Sequence, residues 1–398
     1  MKLIFFLINM NLGGTEKSLL NLISNLPQSY QIDILLLDKK GELLNQLSNN
    51  VNVREIENKN QINEFLKIGS RRFAINELKR GNIFSFLKNI IIFSLRKIRL
   101  LNHTFYGISN LIKEQEENYD VAIAYAGPHN FISFYTHNYI KSKIKYQWIH
   151  FDIDKIVTNK NFGSRFYPCF DKIFCVSENA KDTFTKVFPQ FEPKTEVFEN
   201  IVSENLIKHQ AEIGESFNDD FNGIRLLTLG RLSEEKGQQL IPAVVKRLKE
   251  DGIDLRWYLI GEGKLRAELE EQIKKLKIEN ELILLGLKIN PYAYLKDCNL
   301  YVQTSLHEGY GITIHEAKIF NRPVVTTAVL SASNLIVDDK DGLIVPINED
   351  GIFAGVKELL KNEKKRNDFS RFIKKNELQN SNKIEALLSK YFSNSNFN

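Results

Sequence analysis

Short apolar runs alternate with helix-patterned segments along most of the chain, and this alternation constrains the fold more than any other feature of the sequence. The runs are continuously apolar instead of alternating with polar residues, which is typical of parallel strands covered by helices on both faces. Six runs lie in the first half, at residues 2–9, 31–38, 120–127, 145–150, 171–177 and 195–200. Six more lie in the second half, at residues 225–230, 255–261, 281–286, 299–305, 323–328 and 342–346. We therefore expect an α/β protein with two Rossmann-like, doubly wound domains.

The chain length also predicts more than one domain, because 398 residues exceed what one ordinary hydrophobic core supports. The segment 201–222 is polar and ends in an Asn/Asp cluster, so we interpret it as the connection between domains. We place an N-terminal domain at 1–204, a C-terminal domain at 205–375, and a helical tail at 376–398 that returns to the N-terminal domain. Two doubly wound sheets that face each other would line a cleft, where ligands usually bind.

Composition excludes several classes of protein. Hydrophobic residues make up 43% of the chain and charged residues 26%, which are values of a globular protein and not of a disordered one. The three cysteines are odd in number and lack zinc-type spacing, which indicates free thiols in a reducing compartment. We interpret the apolar start as a buried first strand and not as a signal sequence. No stretch reaches the ~18 uncharged apolar residues of a membrane span, so we expect a cytoplasmic protein.

The segment 65–113 is basic and amphipathic. From Lys67 to Arg99 the sequence contains nine basic residues and a single acidic residue, Glu77. The nine are Lys67, Arg71, Arg72, Lys79, Arg80, Lys88, Arg96, Lys97 and Arg99. They alternate with apolar groups through residue 101, a pattern that suits attachment to an anionic membrane surface at the inner face of the cell membrane. A solvated helix that packs its apolar side on its own domain has the same pattern, and both interpretations stay open. The segment has no nucleic-acid-binding module, so no nucleic acid partner is expected.

The first motif with candidate chemistry is GRLSEEKG at residues 230–237. A predicted strand ends at Gly230, and Arg231 stands where the carboxyl end of that strand opens. Lys236 follows five residues later, just before a predicted helix. A guanidinium and an ammonium near a helix N-terminus can hold one anion. A solvated loop would also contain such residues.

The second motif lies within SLHEGYGITIHEAKIFNRPVV at residues 305–325. Glu308 and Glu316 are separated by seven residues, and glycines flank the turn between them. We predict a helix that begins near Gly311 or Ile312, with Glu308 in the loop before it. The N–H groups of a first helical turn favour phosphate, while carboxylates accept hydrogen bonds from sugar hydroxyls. Exposed glutamates on an ordinary helix are the alternative.

Together the two motifs closely resemble the C-terminal domain of the retaining glycosyltransferases of family four, which have the GT-B fold. That family carries G-R-x(4)-K-G and E-x(7)-E, and both are intact here. The resemblance extends upstream, in the family's order, through residues 13–22, 148–150, 171–184 and 197–200. It covers nearly the whole chain except about 55–115. Two departures stand out: Tyr310 replaces the usual Phe, which could tune the sugar pocket, and His315, which we expect to face solvent or the hinge, precedes Glu316.

The resemblance implies a role for each matching residue. Arg231 and Lys236 would contact the donor diphosphate, and Glu308 would contact the transferred sugar. Glu316 would bind the ribose, and His150 would lie near the sugar. The remaining donor-binding residues implied are Gly14, Ser305, Gly309, Gly311, Ile312 and Thr313.

The resemblance also implies the reaction. It is the retaining transfer of a hexose or N-acetylhexosamine from a nucleotide-diphosphate sugar, with UDP as the expected nucleotide. The acceptor would be a glycan or polyprenyl-linked molecule of cell-surface polysaccharide synthesis. No cofactor and no metal are expected, although Asp152-Ile153-Asp154 has the weak D-x-D pattern of a metal site. A nucleotide-sugar epimerase of the same fold and a non-catalytic sugar-nucleotide-binding partner of another transferase remain alternatives.

Overall fold

The computed structural model describes residues 1–98, 104–150, 153, 160–308, 310–329, 332–376 and 378–393. The chain forms two compact units, Met1–Glu199 and Asn200–Phe392, and Ser393 groups with the first unit. We call these the first unit and the second unit. The division lies five residues before the boundary expected at residue 204, and the C-terminal helices up to Phe392 group with the second unit.

The first unit contains a seven-stranded parallel sheet. Its strands are β1 (Lys2–Leu7), β2 (Gln31–Leu36), β3 (Val51–Glu55), β4 (Asn118–Ala124), β5 (Lys141–Ile149), β6 (Lys172–Cys175) and β7 (Thr195–Val197). Its described helices are α1 (Gly14–Ser24), α2 (Lys59–Lys79), α3 (Ile83–Lys97), α4 (Asn130–Tyr139), α5 (Lys160–Phe166) and α6 (Glu178–Val187). The strand order is β3-β2-β1-β4-β5-β6-β7.

The second unit contains a six-stranded parallel sheet in the order β10-β9-β8-β11-β12-β13. Its strands are β8 (Ile224–Leu229), β9 (Leu255–Ile260), β10 (Leu282–Gly286), β11 (Leu300–Gln303), β12 (Val324–Thr327) and β13 (Gly342–Val345). Its described helices are α7 (Glu204–Ile213), α8 (Ile241–Glu250), α9 (Arg266–Leu276), α10 (Tyr292–Asp297), α11 (Ile312–Ile319), α12 (Ala332–Leu335), α13 (Glu349–Lys361), α14 (Glu363–Asn376) and α15 (Leu378–Phe392).

Helices bury both faces of the second sheet, as continuously apolar strands require. Neighbouring residues of a strand point to opposite faces. Leu226 and Trp257 accordingly belong to one apolar cluster, while Leu227 and Tyr258 belong to the other. Each of the twelve predicted runs overlaps a strand of the structure. The expectation of two Rossmann-like domains with parallel sheets is confirmed.

The strand order locates the point in each sheet where ligands usually bind. The chain winds outward from β8 through β9 to β10, then crosses back so that β11 lies on the other side of β8. The loops after two such strands diverge and leave a crevice at their carboxyl ends. Both motifs lie there, because one follows β8 and the other follows β11.

Two features differ from the sequence expectations. Strand β3 was not predicted, because VNVRE is a half-exposed edge strand without a continuous apolar run. The segment 201–222 is not a plain connection, since α7 occupies much of it. Ile207 and Ala211 of α7 are buried in the core of the second unit.

The basic segment forms a helical hairpin of α2 and α3, and residues 99–101 lie outside the described residues. Phe65 and Phe73 of α2 are buried in the core of the first unit. On α3, Ile92 is also buried, whereas Phe84 is 76% exposed. One face of α3 therefore packs on its own domain, and the other is apolar and exposed.

Candidate functional site

The loops that follow β8 and β11 lie directly against each other. Gly237 adopts a left-handed conformation (φ 68°), and a Cβ there would lie 1.9 Å from the carbonyl oxygen of Thr304. The Thr304 hydroxyl donates to the carbonyl of Lys236 (3.0 Å). The N–H groups of Leu306 and His307 both donate to the carbonyl of Glu235, at 2.9 and 3.2 Å. Glycine is therefore required at 237 so that the two motifs can form one site.

Lys236 and Glu308 meet at the centre of this site. The Lys236 ammonium donates to Glu308 Oε2 at 2.7 Å, and the two side chains are 29% and 12% exposed. Gln303 Nε2 also donates to Glu308 Oε2 (2.8 Å), and the Ser305 hydroxyl lies 3.4 Å from the same oxygen. The structure thus brings together three of the predicted site residues and adds Gln303, which the sequence reasoning missed.

Arg231 lies on the same loop as Lys236, but its side chain is 73% exposed. Its guanidinium is 3.8 Å from the Glu235 carboxylate. An ion pair so exposed contributes little to stability. The backbone carbonyl of Arg231 accepts a hydrogen bond from Gln238 (2.9 Å), which fixes the backbone at this position. The guanidinium can therefore reach an anion that binds above the loop.

Helix α11 positions the second carboxylate. The helix begins at Ile312, as expected, and Gly311 caps it with a positive φ of 75°. Glu316 is completely buried, and the Tyr292 hydroxyl donates to Glu316 Oε1 at 2.9 Å. Burial, together with the neighbouring Glu316 charge, raises the pKa of Tyr292 well above its ordinary value, so the phenol remains a proton donor. Tyr292 is a second site residue that the sequence reasoning missed.

The two departures from the family pattern contact each other. The rings of Tyr310 and His315 stack with centroids 5.1 Å apart. The Tyr310 hydroxyl donates to the carbonyl of Asn200, the first residue of the second unit (2.9 Å). Tyr310 therefore ties the loop to the start of this unit. Its expected effect on the sugar pocket stays a prediction. Gly309, a predicted donor-binding residue, lies outside the described residues.

The predicted residues of the first unit lie after β1 and β5. Gly14 is exposed and begins α1. His150 follows β5 and is buried, and its N–H donates to the carbonyl of Gly127 (3.1 Å). The Tyr125 ring packs on the His150 imidazole at 4.6 Å, and the Tyr125 hydroxyl is 2.8 Å from the Ser18 hydroxyl on α1. Tyr125 thus links the predicted histidine to the helix that Gly14 begins.

Burial lowers the pKa of His150 to about 3, opposed by a hydrogen bond to the backbone of Tyr125. The imidazole is therefore neutral at physiological pH. A neutral histidine can accept a hydrogen bond from a sugar hydroxyl or donate one to it, but it adds no fixed positive charge.

Within the described residues, no group of three or more His, Cys, Asp or Glu side chains is placed to hold a metal ion. Asp152 and Asp154 of the D-x-D sequence lie outside those residues. Among the helices described here, none is long and apolar enough to cross a membrane.

The second unit, which carries both motifs, matches a known protein family. Residues 211–376 match the family model described as "Glycosyl transferases group 1". The second unit is therefore similar to the group 1 glycosyl transferases over residues 211–376. The resemblance to family four, recognised from the two motifs, is confirmed.

Curated relatives carry glycosyltransferase names. The chain is 32% identical over 212 residues to the N-acetylgalactosamine-N,N'-diacetylbacillosaminyl-diphospho-undecaprenol 4-alpha-N-acetylgalactosaminyltransferase of Campylobacter jejuni, a match covering 53% of this chain and 56% of the relative. It is 30% identical over 168 residues to an uncharacterised glycosyltransferase of Methanocaldococcus jannaschii, and this match covers 41% of each chain. The chain thus spans about half the length of these curated relatives.

Solved glycosyltransferase structures share the fold over nearly the full length. HepE of Anabaena, in complex with UDP and glucose, has a TM-score of 0.71 at 17% identity and covers 99% of this chain and 100% of its own. TarM of Staphylococcus aureus, in a complex that includes UDP, has a TM-score of 0.66 at 16% identity and covers 98% of both chains. The two units therefore have the GT-B fold.

Proposed function

We propose that the chain is a retaining, metal-independent glycosyltransferase that moves a hexose or N-acetylhexosamine from a UDP-sugar to a glycan or polyprenyl-linked acceptor. The observation that carries the proposal is the contact between Lys236 and Glu308 at 2.7 Å, formed by the loops after β8 and β11. A cation and a carboxylate placed together at the switch point of a group 1 domain suit a ligand with a diphosphate next to sugar hydroxyls.

Each residue of the site receives a role in this proposal. Arg231 and Lys236 bind the diphosphate, and the N–H groups of the first turn of α11 add to the positive potential. Glu316 accepts hydrogen bonds from the ribose hydroxyls, and Glu308 contacts the transferred sugar. For the first unit we propose donor contacts from the N–H of Gly14 and from His150. Backbone contacts are further proposed for Ser305, Gly309, Gly311, Ile312 and Thr313.

The proposed reaction needs no side-chain nucleophile. The bond between the anomeric carbon and the β-phosphate oxygen breaks, and its electron pair stays on the phosphate. The acceptor oxygen bonds to the anomeric carbon on the same face, and its proton passes to the departing phosphate oxygen. Charge grows on the diphosphate during this step, so fixed cations stabilise the transition state more than the bound donor.

Solved structures support a UDP-sugar donor, and one curated relative supports a lipid-linked acceptor. HepE and TarM were solved in complexes that contain UDP. The name of the Campylobacter jejuni relative includes a diphospho-undecaprenol acceptor. A UDP-sugar and a lipid-linked acceptor are therefore the first candidates for this chain.

Release of UDP from a panel of UDP-sugars, with and without polyprenyl-diphosphate-linked saccharides, tests the proposal. We expect one donor to be consumed, and Arg231→Ala to lower turnover by about 100-fold or more. The control is Arg247→Ala, which removes a guanidinium from an exposed ion pair with Asp350 in the same unit. Formation of an epimer from the donor alone would favour an epimerase. UDP binding without any turnover would favour a non-catalytic partner, and either outcome would overturn the transferase.

We further propose that the hairpin of α2 and α3 attaches the protein to the inner face of an anionic membrane. Phe84, Leu87 and Ile91 recur at steps of three and four residues and are exposed, opposite the buried Asn89 and Ile92. The hairpin also carries exposed basic side chains: Lys67, Arg71, Arg72, Lys79, Arg80, Arg96 and Lys97. Apolar insertion and attraction of ~1 kcal/mol per basic residue would act together.

Flotation with phosphatidylglycerol vesicles tests this attachment, with phosphatidylcholine vesicles as the uncharged comparison. We expect recovery on the anionic vesicles at low salt and its loss in Phe84→Asp. The matched control is Ile213→Asp, which introduces the same negative charge at an exposed apolar residue of the second unit. Equal recovery of both variants, or no recovery of the parental protein, would contradict the attachment.

A further inference from the structure

Gln303 is a polar residue at a buried position of an apolar strand. It is the last residue of β11, follows Leu300, Tyr301 and Val302, and is only 4% exposed. A buried amide is costly unless its hydrogen bonds are made. An apolar side chain of similar size would fill this place without that requirement. Gln303 therefore calls for an explanation other than packing.

The hydrogen bonds of Gln303 fix the direction of its amide. Oε1 accepts from the hydroxyls of Thr313 (2.8 Å) and Tyr301 (3.3 Å), and Nε2 donates to Glu308 Oε2 (2.8 Å). An ionised carboxylate only accepts hydrogen bonds, so the NH₂ group must face Glu308. The amide thereby links the carboxylate of the loop to the first turn of α11.

Lys236 and Gln303 hold the same oxygen of Glu308 but differ in charge. Lys236 is the residue proposed to bind the diphosphate, and a bound diphosphate would compete with Glu308 for its ammonium. The Gln303 amide is neutral and has a much weaker attraction to phosphate. It can keep its hydrogen bond to Glu308 when Lys236 turns towards the donor.

We infer that Gln303 is a positioning residue that holds the Glu308 carboxylate in place during donor binding and transfer, with its own amide oriented by Thr313. The inference rests on the proposed transferase function. Without Gln303, the carboxylate lacks this 2.8 Å hydrogen bond from a neutral amide when the sugar donor engages Lys236. Because small misplacements at a reacting centre slow the reaction more than they weaken binding, the effect falls on turnover.

The first test compares Gln303→Met with Thr228→Val. Methionine matches glutamine in length and lacks the amide. Thr228 is a buried residue of the same sheet, and its hydroxyl donates to the carbonyl of Val302 (2.6 Å) away from Glu308. For Gln303→Met we expect kcat to fall by about 10- to 100-fold, with the Kd of UDP within about threefold of the parental value. Thr228→Val should lower the Tm and keep kcat within about threefold.

The second test is the pH dependence of Gln303→Glu. A protonated glutamic acid at 303 can donate to Glu308 as the amide does, whereas two ionised carboxylates repel each other. The turnover of this variant relative to the parental protein should therefore rise by about fivefold or more from about pH 8 to about pH 5.5. A purely structural role would give a ratio that does not change with pH.

The outcomes separate this inference from the proposed function. Parental-level kcat in Gln303→Met, or a flat pH ratio in Gln303→Glu, overturns the inference while the transferase stands. A parental protein that consumes no UDP-sugar overturns the proposed function. In that case, crystal structures of the parental protein and of Gln303→Met with UDP still decide the positioning. A Glu308 carboxylate that moves by less than about 0.5 Å between them overturns the role of Gln303.

Discussion

Replacing Lys236 with methionine perturbs the centre of the site with little change in side-chain volume. The variant loses a charge-assisted hydrogen bond to the diphosphate, worth about 1.5–3 kcal/mol. It also leaves the mostly buried Glu308 carboxylate without its cation, next to the place proposed for the phosphates. Both effects weaken nucleotide binding. We expect a total of about 3 kcal/mol, or about 150-fold in the Kd of UDP.

The partner variant, Glu308→Gln, should have the opposite effect on binding. Removal of the carboxylate releases the Lys236 ammonium from its 2.7 Å contact, so the diphosphate no longer competes for it. We expect UDP to bind equally well or up to about fivefold more tightly, although sugar transfer falls by about 100-fold or more. In the double variant, loss of the repulsion should restore about 1 kcal/mol relative to Lys236→Met alone.

Isothermal titration of UDP into the four proteins of this cycle measures these differences. Lys246→Met is the matched control, because it removes a lysine from an ion pair with Glu250 on α8 of the same unit. Its Kd should equal the parental value. A Lys236→Met variant that binds UDP within about threefold of the parental protein would refute the reasoning. So would a Glu308→Gln variant that loses as much affinity as Lys236→Met.

Three further outcomes are expected. Tyr292→Phe removes the hydroxyl that donates to Glu316 (2.9 Å) and should weaken UDP binding by about 1–2 kcal/mol; titration should show no such loss with 2′,3′-dideoxy-UDP. His150 has a folded-state pKa of about 3 against an ordinary 6.5. The full contribution of His150 to the free energy of unfolding is therefore present above pH 6.5. This contribution is lost as the pH falls towards 3, by about 2 kcal/mol at about pH 5, because the unfolded chain binds the proton more tightly. Urea unfolding should show this loss, and His150→Gln should lack it. Asp219→Asn should destabilise the second unit by about 3 kcal/mol in the same assay, because two arginines at 2.6 and 2.9 Å lose their carboxylate.

Much of the fold could be predicted because parallel strands buried on both faces leave a local signature. Runs such as 225–230 and 255–261 are apolar whatever their neighbours are. Strand β3 lacks that signature because Val51 is its one buried residue. Its hydrogen bonds to β2 hold it at the edge of the sheet. Helix α7 was missed because its apolar residues, such as Ile207, are few and its composition is mostly polar.

The charged residues of the site could be predicted because each lies in a short motif of fixed spacing. Their supporting residues could not, since they approach only through the tertiary structure. Tyr292 reaches Glu316 from another helix, 24 residues away in the sequence. Gln303 lies close to Glu308 in sequence, but only its burial and its contact with Thr313 distinguish it from an ordinary polar residue at a strand end. A glutamine in an otherwise apolar strand was the available signal.

A crystal structure of the protein with an intact UDP-sugar measures the central distance directly, from the Lys236 ammonium to the nearest oxygen of the diphosphate. We expect that distance to be about 2.7–2.9 Å, with Arg231 on the same group and the sugar next to Glu308. A diphosphate bound elsewhere, with Lys236 still paired to Glu308 alone, would contradict the proposed site.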